Sequence, residues 1–261
     1  ESFRGAPPFS TVSAWGIDPE KTDEFMMTLD GFLDPATLLY GVIGGQPEQL
    51  KRQPAFFDAS GLEVSQHFAV SSDGTKVPYF QVSPKSLKLD GANAALLYGY
   101  GGFEVSMNPS YSAIVGRSWL SRGGVYALAN IRGGSEYGPR WHQAALKANR
   151  HRAYEDFAAV AGDLAARGVS SAARLGAMGG SNGGLLAGNM LTLYPGVFGA
   201  IVSQVPLLDM KNYSHMLAGA SWMAEYGDPD KPQEWDYLRT FSPYHNVEKG
   251  AAYPPVLFTT S

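Results

Sequence analysis

The sequence contains no cysteine. That excludes disulfides, a thiol nucleophile and thiolate metal sites, while leaving the compartment open. No apolar run approaches the roughly 18 residues needed to span a bilayer. The opening residues, Glu-Ser-Phe-Arg-Gly-Ala-Pro-Pro, lack both a signal-peptide pattern and an initiator Met. They lead straight into strand-like sequence, so the expectation is a piece of a longer polypeptide. Excess positive charge is missing too. A formal net charge of −4 argues against nucleic acid or an anionic membrane as a partner. The expected product is a soluble protein, cytoplasmic or periplasmic.

Two nucleotide signatures are also absent. Leu185 follows Gly184 where a P-loop needs Lys and then Ser or Thr, and no G-x-G-x-x-G starts at Gly179 or Gly180. What stands there instead is Leu175-Gly-Ala-Met-Gly-Gly-Ser181-Asn-Gly-Gly-Leu185. A short apolar run leads into a glycine-rich turn, and a helical apolar pattern (Leu185, Leu186, Met190, Leu193) leaves it. Gly179-x-Ser181-x-Gly183 is the G-x-S-x-G pattern of a nucleophile elbow, in the strand–turn–helix context that pattern requires. A serine hydroxyl is a poor nucleophile and must stand clear of the backbone, where a base can take its proton. The helix start behind it aims free N–H groups, including that of Asn182, at a developing oxyanion. Acyl transfer is the chemistry this predicts.

Short strands are expected at Phe9–Trp15, Glu24–Leu29 and Thr37–Ile43, separated by Asp-Pro and Asp-Gly turns. Gln46–Pro54, polar and holding two prolines, reads as a linker. Val64–Val70 and Val77–Val82 form a hairpin around Ser72-Asp73-Gly74, with His67 on the solvated face opposite Val64, Phe68 and Val70. From Ala94 strands and helices alternate. Strands are expected at Ala95–Tyr98, Val125–Ile131, Val197–Val205 and Pro255–Thr260. Helices are expected near Tyr111–Ser121, Trp141–Asn149, Arg152–Arg167 and Gln233–Phe241. A further strand, from Leu175 to the elbow, completes the series. Phe157, Val160, Ala161 and Leu164 make a core-facing stripe. The pattern predicts an α/β-hydrolase fold, a mostly parallel doubly wound sheet with its site at the carboxyl ends of the strands.

Four motifs then occur in order: Tyr98-Gly-Tyr100-Gly-Gly-Phe103, Asn130-Ile-Arg-Gly-Gly-Ser-Glu-Tyr-Gly138, Gly179-Gly-Ser181-Asn-Gly-Gly184 and Ser242-Pro-Tyr-His-Asn-Val247. Together, over about residues 64–261, they resemble the catalytic domain of the prolyl oligopeptidase family of serine peptidases. The resemblance implies that residues 1–62 are the last strands of a β-propeller plus a linker, and that 63–261 are the catalytic domain. It makes Ser181 the nucleophile, with the Asn182 backbone N–H and the Tyr100 hydroxyl as oxyanion donors. It places Phe103, Trp222, Tyr226, Leu207 and Ala218 around a proline pocket. Phe103 and Asn182 are similar to the proline-specific branch rather than the branch that cleaves after Arg or Lys. Short proline-containing peptides are the implied substrates, with no metal or cofactor. Arg132 and Glu136 are expected to orient backbone near the glycine turns.

A triad also needs an acid and a histidine after the serine. In the family both follow a late strand, which Pro255–Thr260 resembles, so both are expected beyond Ser261, on the remainder of the same polypeptide. The internal alternatives are His215 or His245 with Asp209. Two other readings stay open: another acyl hydrolase of this fold, such as an esterase or acylaminoacyl peptidase, and a catalytically inactive binding relative.

Overall fold

The computed structural model describes residues 5–260. They form two compact units, one of residues up to 64 with 82–86 and 108–123, the other of 65–81, 87–107 and the chain from Gly124 onward.

The first unit carries a four-stranded antiparallel sheet of β1 (Ser10–Gly16), β2 (Glu24–Gly31), β3 (Thr37–Val42) and β4 (Glu48–Arg52), in that order. The linker expected at 46–54 is therefore largely a strand. Its sequence, Glu-Gln-Leu-Lys-Arg, is exposed throughout and has no apolar alternation, because an edge strand needs only backbone pairing on one side. In the same unit the short helix α1 (Ala113–Ser118) begins at Ser112, whose side chain accepts the Val115 N–H. A Cβ on its Gly116 would lie 1.9 Å from the Phe57 ring, which stacks on Tyr111 at 5.1 Å.

The larger sheet contains β5 (Leu62–Val70), β6 (Lys76–Pro84), β7 (Ala95–Tyr98), β8 (Val125–Ala129), β9 (Leu175–Gly180), β10 (Ala200–Gln204) and β11 (Val256–Thr259). Their order is β11-β10-β9-β7-β8-β6-β5. The pairs β7·β8, β7·β9, β9·β10 and β10·β11 are parallel. β5 and β6 are neighbours joined by a tight turn closed by Ser71 and Thr75, a connection that only antiparallel strands make. The helices of this unit are α2 (Pro139–Gln143), α3 (His151–Ala166), α4 (Asn182–Leu193), α5 (Met223–Tyr226) and α6 (Pro232–Leu238). Of the longer helix expected over 141–149 only the start is helical, as the end of α2, and a turn and one 3-10 segment (Lys147–Asn149) take the place of the rest.

Burial explains why these elements hold. Phe157, Val160, Ala161 and Leu164 of α3 and Leu185, Leu186 and Met190 of α4 pack with Leu97, Val125, Ala127, Leu175 and Ile201 of the sheet in one apolar cluster. Full burial of a Leu, Ile, Val, Phe or Met side chain contributes about 1.5–3 kcal/mol. On β5 the expected parity is inverted. Phe68 and Val70 are exposed and Ala69 is buried, so His67 faces inward. Its ring meets Ser65 Oγ at 2.8 Å and Arg167 Nη2 at 3.2 Å, and burial pushes its pKa down. An edge strand offers too little alternation to say which face the helix covers.

The strand order positions the site. The chain runs from β7 to β8 on one side and then to β9 on the other, so the order reverses at β7. Loops leaving the carboxyl ends of β7 and β9 therefore part and leave a crevice between them, the place where sheets of this kind bind ligands.

Candidate active site

Ser181 stands at the end of β9 with φ 56° and ψ −116°, a conformation non-glycine residues seldom adopt. Surrounding bonds hold it there. Its N–H donates to the Gln204 carbonyl at 2.9 Å, and its own carbonyl accepts from Gly184 N at 2.8 Å and Leu185 N at 3.1 Å. The flanking glycines are required by close approach. A Cβ on Gly179 would lie 2.1 Å from the Gly183 oxygen, and one on Gly183 would lie 2.7 Å from the Gly99 oxygen. The result is an exposed serine side chain at the N-terminus of α4, whose first N–H groups have no partner four residues back.

Tyr100, on the loop after β7, lines the same pocket as Ser181, and its phenol is close enough to the serine to feel it. Burial pushes its phenol pKa upward, with the neighbouring Ser181 side chain acting the other way, so at neutral pH the hydroxyl stays protonated and able to donate. Tyr100, Phe103, Ser181, Leu207, Trp222 and Tyr226 line one pocket of about 100 Å³. The structure thus gathers six of the residues singled out from the sequence. Ala218 is exposed on the preceding turn and is not among the lining residues. Phe103 meets Tyr226 edge-to-face at 5.5 Å, and Tyr213 backs Tyr226 at 5.5 Å in the same way.

Behind the pocket lies a buried polar cluster that the sequence reading missed. Asn182 Oδ1 accepts from the Tyr226 hydroxyl at 2.7 Å and from Arg150 Nη2, while its Nδ2 donates to the Tyr100 carbonyl at 2.7 Å. Arg150 Nη1 donates to Glu225 Oε1 at 2.8 Å, and the guanidinium sits 5.2 Å from the centre of the Tyr226 ring. Glu225 Oε1 also accepts the Phe103 N–H at 2.9 Å, and its Oε2 meets His142 Nε2 at 2.7 Å. Burial holds the Tyr226 phenol well above its ordinary pKa. A lone acid inside Ser221–Gly227, between two aromatic residues, was the one local hint. Arg150 was hidden in the basic run Lys147–Arg152.

Glu136 holds backbone as expected, whereas the Arg132 side chain bonds only other side chains. Arg132 forks onto Asp156 at 2.6 and 2.9 Å and onto Asp73 at 2.5 Å, and its own N–H also donates to Asp156. Glu136 accepts the Met107 N–H at 2.9 Å, and burial pushes its carboxyl pKa up. None of the internal triad alternatives lines the pocket at Ser181, although two of them meet each other, His245 Nδ1 lying 3.9 Å from Asp209 Oδ1. His215 Nε2 pairs with Asp230 at 2.9 Å, His245 Nδ1 meets Ser242 Oγ at 2.8 Å, and Asp209 accepts the N–H groups of Lys211 and Asn212. Among the described residues no cluster of three His, Asp or Glu side chains could hold a metal ion. No helix among them is long and apolar enough to cross a membrane.

A parallel sheet with a strained serine between strand and helix at its carboxyl edge defines the α/β-hydrolase class. The chain matches the model of the prolyl oligopeptidase family over residues 109–261, more than half its length, and belongs to that family. It is 55% identical over 262 residues to an uncharacterized peptidase of Sinorhizobium fredii, covering all of this chain and 36% of that protein. It is 37% identical over 252 residues to a prolyl endopeptidase of Elizabethkingia meningoseptica, covering 95% of this chain and 36% of the relative. The structure of a post-proline cleaving enzyme from Rickettsia typhi superposes with a TM-score of 0.89 at 38% identity, over 95% of this chain and 36% of that one. The chain thus spans about a third of the length of the curated relatives it matches.

Proposed function

We propose that the whole protein is a serine endopeptidase that cleaves short peptides on the carboxyl side of proline through an acyl-enzyme. The observation that carries this reading is a single small pocket, walled by Phe103, Trp222, Tyr226 and Leu207, that opens at Ser181 itself. Proline has no polar side-chain group to pair, so selection must come from shape and apolar burial. Three ring methylenes at about 0.8 kcal/mol each supply roughly 2–2.5 kcal/mol, and packing on an aromatic face adds about 1. With the ring seated, Ser181 Oγ attacks the adjoining carbonyl carbon. The negative oxygen that forms is met by the Tyr100 hydroxyl and the Asn182 N–H, donors already in place and needing no reorganisation. The Oγ proton passes through the triad histidine to the leaving amine as the peptide C–N bond breaks, and water then hydrolyses the acyl-enzyme to free the carboxylate and Ser181.

The acid and the histidine of the triad come, on this reading, from outside this chain. That none of His215, His245 and Asp209 lines the pocket at Ser181 supports that placement. Residues 1–62 are read as the end of a β-propeller, since a four-stranded antiparallel sheet is the unit of such a blade. The exposed Val12, Trp15, Val42 and Ile43 suit packing against neighbouring sheets of the same polypeptide. The test is hydrolysis of matched Gly-Pro and Gly-Ala anilides and a simple ester by the full-length protein. A preference for proline of about a hundredfold is expected. Faster turnover of the ester, with no proline preference, would instead make the protein a different acyl hydrolase.

A further inference from the structure

Glu225 lies one residue before Tyr226 and 122 residues after Phe103, yet its carboxylate joins the two walls of the pocket. Its side chain is 5% exposed and spends both oxygens on neighbours: Oε1 on the Phe103 N–H and Arg150, Oε2 on His142. The wall it holds is strained. Phe103 has φ 55° and Glu104 φ 58°, values that persist only where surroundings impose them. A bond from a backbone N–H to an ionised carboxylate is of the stronger kind. The loop cannot relax inward either. A Cβ on Gly102 would lie 2.5 Å from Asn182 Nδ2 and 2.7 Å from Arg150 Nη2, so the backbone already rests against the cluster.

We propose that Glu225 is a positioning residue for recognition of the scissile proline: its buried carboxylate fixes the Phe103 wall of the pocket against the Tyr226 wall. This rests on the pocket reading given above. The charge matters as well as the reach. Arg150 is fully buried, and without an anion beside it the guanidinium would face only the Tyr226 ring and neutral oxygens. A glutamine in place of Glu225 keeps the shape but loses that charge. An aspartate keeps the charge but falls one methylene short of Phe103. Glu225 makes no bond to Ser181 or to the Tyr100 hydroxyl, so its removal bears on what the pocket selects before it bears on the nucleophile.

The experiment compares the full-length protein with its Glu225→Gln and Glu225→Asp variants on Gly-Pro and Gly-Ala anilides, with fluorophosphonate labelling of Ser181 measured in parallel. Both variants are expected to lower kcat/KM on the proline substrate about tenfold to a hundredfold, chiefly by raising KM. The ratio of proline to alanine rates should narrow by about tenfold, with the labelling rate falling less than about threefold. If Glu225→Gln fails to fold, Glu225→Asp reads the same ratio. An unchanged ratio, or equal losses on both anilides and on labelling, overturns the proposal. Absence of a proline preference in the unmodified protein is a separate result: it sinks the functional reading, and this proposal with it.

Discussion

The hydroxyl of Tyr226 donates to Oδ1 of Asn182 at 2.7 Å, so a wall of the pocket is bonded to the residue that follows Ser181. The pocket wall and the turn that carries the serine share one framework through that bond. Tyr226→Phe in the full-length protein removes a single buried hydrogen bond, which contributes about 0.5–1.5 kcal/mol net. Arg150 still holds the same oxygen. Urea unfolding should show a loss of that size, with turnover falling less than about tenfold. A far larger loss of turnover at unchanged stability would mean that this hydroxyl touches the substrate.

Tyr100 faces Ser181, and burial keeps its phenol protonated through neutral pH. Tyr100→Phe should cost about 10²–10³ in kcat, with KM little changed, because an oxyanion donor acts on charge that develops only in the transition state. Steady-state kinetics on a proline anilide decides it. An unchanged kcat would put the second donor elsewhere.

Trp222 lines the pocket and is half-buried. Trp222→Ala should lower kcat/KM on proline substrates about tenfold to a hundredfold and narrow the gap to alanine substrates. Full retention of the preference would make Trp222 packing alone.

Asp73 gives a pH prediction. The Arg132 guanidinium beside it holds its carboxyl well below the usual aspartate range. A carboxylate with a lowered folded pKa stabilises fully above its unfolded value and loses that contribution as pH falls through the folded one. Asp73 is partly exposed, so solvent screening keeps the contribution small. Melting temperature against pH should therefore decline less steeply below about pH 4 in Asp73→Asn than in the unmodified protein. Parallel curves would assign the acid sensitivity to other carboxylates.

Much of this was legible in the linear chain because it is local. The elbow is written in consecutive residues, since the close approach of Gly179 to Gly183 and the start of α4 are decided within a single turn. The buried stripe of α3 follows from helical spacing alone. Strand β4 and the inward face of β5 were misread for the opposite reason. At a sheet edge, backbone pairing is satisfied by a neighbour whatever the side chains are, and alternation there says little about burial. The buried cluster left little trace in the sequence beyond the lone acid among the aromatic residues of Ser221–Gly227. Arg150 and Glu225 are 75 residues apart and Arg150 and Asn182 are 32 apart, and each alone reads as an ordinary surface charge or amide. Only the return of β7, β9 and the segment after β10 to one edge of the sheet takes water away from them. A charge deprived of water must find a partner, and that necessity, created by tertiary packing, joins the pocket to the elbow.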